Sequence, residues 1–146
     1  MENEPLILEA LQTAVTAAVA ASTSPALPVK YLLVGSARGA AFTPPSDQKW
    51  LELVWLPNNR RGDFLGSDKN HRGILRLVLH WPNDGGGVYE PSELLSSISS
   101  YFYNGRLLSG VQIYGTPDPT GIIEQDSEVL LPVSVLYQSY RKGLEP

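Results

Sequence analysis

Arg72-Gly73-Ile74-Leu75-Arg76-Leu77-Val78-Leu79-His80-Trp81 leads into Pro82-Asn83-Asp84-Gly85-Gly86-Gly87 and then into a run ending Tyr101-Phe102-Tyr103-Asn104. The first ten residues alternate. Leu75, Leu77, Leu79 and Trp81 fall on one side, Arg76, Val78 and His80 on the other, which is the period of a strand with one wholly apolar face. Pro82 stops the strand and the glycines reverse the chain. Pro91 suits a first helical turn. Leu94, Ile98, Tyr101 and Phe102 recur at helical spacing, and Asn104-Gly105 closes that helix. The apolar side of the strand needs a cover, and this helix is the nearest one.

Upstream, Lys49 to Leu56 reads as a second strand, with Leu51, Leu53 and Trp55 on one face and Trp50, Glu52 and Val54 on the other. Residues 57–71 join the two strands, a long connection where roughly two to five residues would serve a hairpin. Arg60, Arg61 and Lys69, with Arg72 beside them, make this loop the most basic part of the chain, and Phe64-Leu65 gives it an apolar tip. It reads as a loop that contacts a partner. Glu52 and Arg76 read as cross-strand partners.

Downstream, Leu107 to Tyr114 reads as a strand with Val111 and Ile113 on one face. Gly115 to Gly121 is an exposed turn, Ile122-Ile123 a short strand, and Asp126-Ser127-Glu128 a polar turn. Val129 to Tyr140 alternates again, with Val129, Leu131, Val133, Val135 and Tyr137 together. Pro132 within it predicts an edge or a bulge. Residues 141–146 form a loose polar tail.

At the N-terminus, Leu6 to Ala21 is alanine-rich, and Ile7, Leu11, Ala14, Val15 and Ala18 fit one helical stripe, with Pro5 near the start. The stretch is too short for a membrane span, and Glu2, Glu4 and Glu9 are unlike the basic start of a signal peptide. The expectation is a protein that works where it is made. Residues 22–48 form an extended arm with a short strand from Val29 to Val34, a glycine-rich Gly35 to Gly39, and Pro44-Pro45 denying ladder donors.

A chain of 146 residues fits one domain with one core, and 42% apolar content excludes a disordered chain. A net charge of −4 argues against a duplex-DNA binder. With no cysteine there is no disulfide, thiolate metal site or cysteine nucleophile. Two helices and about four long strands give an α+β domain: a mostly antiparallel sheet with both helices on one face. The other face would carry Trp50, Val54, Ile74, Val78, Tyr114, Leu130, Leu136 and Tyr140. That is apolar enough to mark a protein interface.

Chemistry-bearing motifs are weak. Gly35-Ser36-Ala37-Arg38-Gly39 has its serine one place early for a nucleophile elbow. Asp84-Gly85-Gly86-Gly87 lacks the ending of a phosphate loop. His71 and His80 have no spaced carboxylate or cysteine partners, so a zinc site is not expected. Arg61-Gly62-Asp63 spells an integrin tripeptide by coincidence. No catalytic, cofactor-binding or metal-binding residue is assigned, and an enzyme is the weaker class.

Several features in succession resemble the tail terminator, or tail-completion, proteins of long-tailed bacteriophages. They are the alanine-rich N-terminal helix, Phe42-Thr43-Pro44-Pro45 followed by Trp50-Leu51-Glu52-Leu53, the long loop with Phe64-Leu65-Gly66, Gly73-Ile74-Leu75-Arg76-Leu77, Trp81-Pro82 with Gly85-Gly86-Gly87, a helix ending near Tyr101-Phe102, and Leu131-Pro132-Val133-Ser134-Val135. Gly35 to Ala40 is longer than the resemblance leads one to expect.

The resemblance implies a single domain over residues 1–146 forming a hexameric ring in the virion, at the head-proximal end of the tail and assembled in the host cytoplasm. Such a ring caps the tail tube, ends its polymerisation and offers a head-joining surface. Its partners would be its own copies, the tail tube protein and a head–tail connector. DNA would pass through the lumen without specific binding, and neither cofactor nor membrane is implied. Arg60, Arg61, Phe64, Leu65 and Lys69 would contact the tube or a neighbouring subunit, and Trp50, Val54, Ile74 and Val78 would form the ring-packing sheet face. The alternatives are another connector, neck or minor tail protein, or a small-molecule binding module or enzyme.

Overall fold

A computed structural model describes residues 3–23, 27–31, 45–57, 68–84 and 86–142. In chain order these residues form α1 (Asn3–Ser22), β1 (Val29–Tyr31), β2 (Trp50–Pro57), β3 (Asp68–Pro82), α2 (Tyr89–Ser99), β4 (Leu107–Leu108), β5 (Val111–Ile113), β6 (Asp118–Pro119), β7 (Ile123–Glu124) and β8 (Glu128–Lys142). The strands make one curled sheet. Its order is β1-β2-β3-β8, and the far edge of β8 is shared by β7, β6 and β5, with β4 beyond β5. Only β1 and β2 run parallel.

The α+β class holds, but the expected sheet of about four strands is wrong: eight strands form a half-barrel. β1 and β7 overlap the short strands expected from Val29 and at Ile122-Ile123, whereas β6 lies in the expected exposed turn; all have two or three residues, too few for an alternating pattern to show. Pairing with a longer neighbour, rather than their own composition, makes them strands. The expected single strand from Leu107 is the hairpin β4–β5, which turns at Ser109-Gly110 with φ of 49° and 89°. Two consecutive positive φ values define the turn whose twist suits a two-residue hairpin.

The core fills the concave side. On α1, Ile7, Ala10, Leu11, Ala14, Val15, Ala18 and Val19 are buried, recurring at three- and four-residue offsets along one face. Alanine supplies helix propensity and lets the helix lie close to the sheet. Leu51, Leu53, Leu75, Leu77, Leu79, Val133 and Val135 meet that stripe from below, with Leu95, Ile98 and Phe102 from the second helical segment. Ser97 Oγ donates to Ser22 Oγ at 3.0 Å, and the Thr16 and Tyr31 hydroxyls meet, tying α1 to α2 and to β1.

Helix α2 ends at Ser99 instead of running to Asn104. The serines explain this. Ser99 Oγ donates to Ser96 O at 3.2 Å and Ser100 Oγ to Ser97 O at 2.8 Å. Those side-chain bonds compete with the helix, and the chain tightens as Phe102 N bonds Ser99 O. Phe102 still enters the core, but from this last turn.

The expected loop over 57–71 is shorter. β2 runs to Pro57 and β3 starts at Asp68, so Lys69 lies in a strand, opposite Arg141. Arg141 and Lys142, read as tail, end β8. Residues 32–44, 58–67 and 143–146, and the expectations attached to them, lie outside the described residues.

Candidate interaction surface

Side chains at even positions from Trp50 to Leu56 of β2, Arg72 to Pro82 of β3 and Glu128 to Gln138 of β8 point away from the helices. The register lines them up in rows: Trp50, His80 and Leu130; Glu52, Val78 and Pro132; Val54, Arg76 and Ser134; Leu56, Ile74 and Leu136. Val54, Ile74, Val78 and Leu130 are half-buried, while Leu56 and Leu136 are exposed by 42% and 37%. Among the described residues every row of this convex face carries an apolar side chain, with Glu52, His80, Arg76 and Ser134 set among them.

Trp50, Val54, Ile74 and Val78 all lie on it, but Trp50 is buried. Its indole stacks on the His80 imidazole, with ring centroids 3.7 Å apart and planes 8° apart. Trp55 and Trp81 belong to the concave side, where the Lys49 ammonium stands 4.6 Å from the Trp81 ring centre. Arg60, Arg61, Phe64 and Leu65 lie outside the described residues.

A cluster that the sequence reading missed sits at one end of the face. His80 is buried, with Nε2 2.9 Å from Glu52 Oε1 and Nδ1 3.0 Å from Glu128 Oε1. Glu52 is two residues along β2 from Trp50, and Glu128 two residues along β8 from Leu130, so the carboxylates reach His80 from its two diagonals. Each ring nitrogen thus stands within hydrogen-bond distance of one carboxylate oxygen. The result ties three strands together and leaves neither ring nitrogen free as a base or ligand. Alternation put Glu52 and His80 on one face, and Glu128 was expected in a polar turn; only the register shows that the three touch.

The expected Glu52–Arg76 pair is not made, because Glu52 turns to His80. Arg76, half-buried in the middle of the apolar rows, keeps its Nε buried with no hydrogen-bond partner among the described residues.

On the concave side, a groove of about 600 Å³ runs between α2 and the β5–β7 connection, lined by Leu95, Tyr103, Pro117, Ile122, Leu131 and Val133 with serines of α2. It carries no acid or base. Among the described residues no group of histidines and carboxylates is placed to hold a metal ion, and no helix is long and apolar enough to cross a membrane.

The model of the phage tail terminator protein family matches residues 6–137, from the first turns of α1 to Tyr137 in β8. The chain belongs to the phage tail terminator family. A structural role in the tail of a phage virion follows from that membership. The same architecture recurs in a solved structure that superposes with a TM-score of 0.75 at 21% identity, covering 98% of this chain and 97% of the other. At that identity the likeness shows a shared fold. No curated protein matches the chain.

Proposed function

We propose that this tail terminator forms a hexameric ring that caps the tail tube, ends polymerisation of tube protein and presents the surface to which the head connector joins. The family match over residues 6–137 carries the reading. The convex apolar face supports it, because half-buried Val54, Ile74 and Val78 suit packing against identical copies better than exposure to water. We assign Arg60, Arg61, Phe64, Leu65 and Lys69 to contacts with the tube or a neighbouring subunit. A net charge of −4 suits a lumen through which DNA slides without being held. The role requires no cofactor.

Electron microscopy of particles made without this chain tests the reading. Loss of a terminator gives over-long tails without heads. Tails of normal length that fail to join heads would assign the chain to the connector instead. In complete particles, a label on this chain is expected in a sixfold ring at the head-proximal end of the tail.

A further inference from the structure

Resting on that ring reading, we infer its subunit contact: residues 58–67 of one copy enter an acidic cleft at the far end of the next copy's sheet. The cleft, about 280 Å³, lies between the β3–α2 connection and β7. Asp84 and Glu124 line it together with Val88, Ile122 and Val129. Asn83 draws its two walls together, its backbone N–H donating to Ser127 O at 3.2 Å and its Nδ2 to Gln125 O at 2.7 Å. Exposed Glu90 and Asp126 add charge at the same end, from the first turn of α2 and the β7–β8 turn. Among the described residues none of these four carboxylates is in an ion pair. The cleft suits a cationic segment with apolar side chains, whose charge stays at the rim while the apolar part enters.

The chain has such a segment in Arg60, Arg61, Phe64 and Leu65. They belong to the residues that join Pro57 of β2 to Asp68 of β3, and both anchors stand away from the cleft. Pro57 pairs with Gly73, nine residues short of Pro82, and Asp68 is fourteen short of it. At ~3.3 Å per strand residue these are about 30 and 46 Å. To reach its own cleft the connection would have to cover both, roughly 75 Å, whereas its eleven links extend to about 38 Å at most. Only the cleft of another copy can receive it. The register also makes the anchor end basic, with Lys69 opposite Arg141, Lys142 opposite Asp68, and Arg72 exposed. Like ends brought together would repel, which disfavours a symmetric dimer through either end. Joining unlike ends is a heterologous contact, the kind that closes into a ring when its rotation divides the circle.

The absence of cysteine makes the test direct. Val88→Cys and Leu65→Cys are placed in one chain, folding is checked by circular dichroism, and assembled tails carrying that chain are oxidised. Ile122→Cys replaces Val88→Cys should that variant not fold. A ladder of disulfide-linked chains is expected on a non-reducing gel, with each single-cysteine chain staying unlinked. Asp84→Lys together with Glu124→Lys should cut the linked yield roughly tenfold or more, as for loss of close charge pairs across an interface. Adding Arg60→Glu and Arg61→Glu to that chain should restore it.

Four results overturn the contact. A disulfide within a single chain puts the loop over its own cleft. Leu65→Cys linking to itself means that the loops meet each other, and its linking to tube protein gives the loop to the tube. A sixfold ring on tails without the ladder removes this contact and leaves the ring standing. Neither ring nor ladder defeats both readings.

Discussion

Gly73 interrupts an otherwise regular strand, and its reason lies far downstream. In the register it faces Tyr137. A Cβ on Gly73 would stand 2.6 Å from Tyr137 Cζ and 2.9 Å from the Leu56 carbonyl oxygen. The tyrosine ring therefore lies over the strand where a side chain would otherwise be, and its hydroxyl accepts a 2.7 Å hydrogen bond from Trp55 Nε1. Gly73→Ala should lower the unfolding free energy in urea by about 1–3 kcal/mol, the usual cost of overpacking a core. Tyr137→Phe keeps the ring and removes the acceptor, and should cost about 1 kcal/mol. An alanine variant as stable as the parent would mean that the ring does not occupy that place. Alternation announced which side Tyr137 and Trp55 would take. Their meeting over Gly73, like that of Glu52 and Glu128 around His80, depends on which residues the register sets side by side, and no local pattern encodes that.

β8 is the element that most of the sheet depends on. Its 15 residues bond to β3 on one side and to β7, β6 and β5 in turn on the other. Pro132 lies inside it, paired with Val78, where the sequence predicted an edge or a bulge. Its carbonyl accepts from Thr120 N at 3.2 Å, so residue 132 points its backbone groups toward the β6–β7 side. The missing N–H thus faces the gap at Thr120 to Ile122, between the two short strands, and the ladder to β3 is intact. Neighbouring residues point the other way. Val133→Pro should therefore remove a bond to β3 and cost at least about 2 kcal/mol, whereas proline at 132 is tolerated natively. Equal stability of the Val133→Pro chain in urea would contradict this orientation. The edge expectation was physically sound, but one side of this strand is a patchwork with a place for a residue that lacks a donor.

The molecule as a whole shares one core between α1, the second helical segment and the concave face. No element has an apolar cluster of its own, so the described residues should unfold together. All three tryptophans lie in β2 and β3, while helical circular dichroism reports α1 and α2. The two signals should give coincident thermal transitions. Separate midpoints would mean that α1 leaves the sheet before the sheet melts. The long helix and the long strands were legible in the sequence because each buries one face over many residues: the α1 stripe and the alternating runs of β2, β3 and β8 lie where the periodicity put them. The strand β6, the turn that splits β4 from β5 and the true end of α2 were not, since pairing with β8 makes the first, two positive φ values make the second and serine side chains set the third.

By itself the sequence determined the α+β class, the inward face of every long element and, through its ordered motifs, the family. Those follow from local periodicity and composition, which act within a few residues. The tertiary structure alone decided the register, and with it the half-barrel of eight strands among the described residues and the Glu52–His80–Glu128 tie. Each of these rests on contacts between residues distant in the chain, whose geometry exists only once the strands lie side by side.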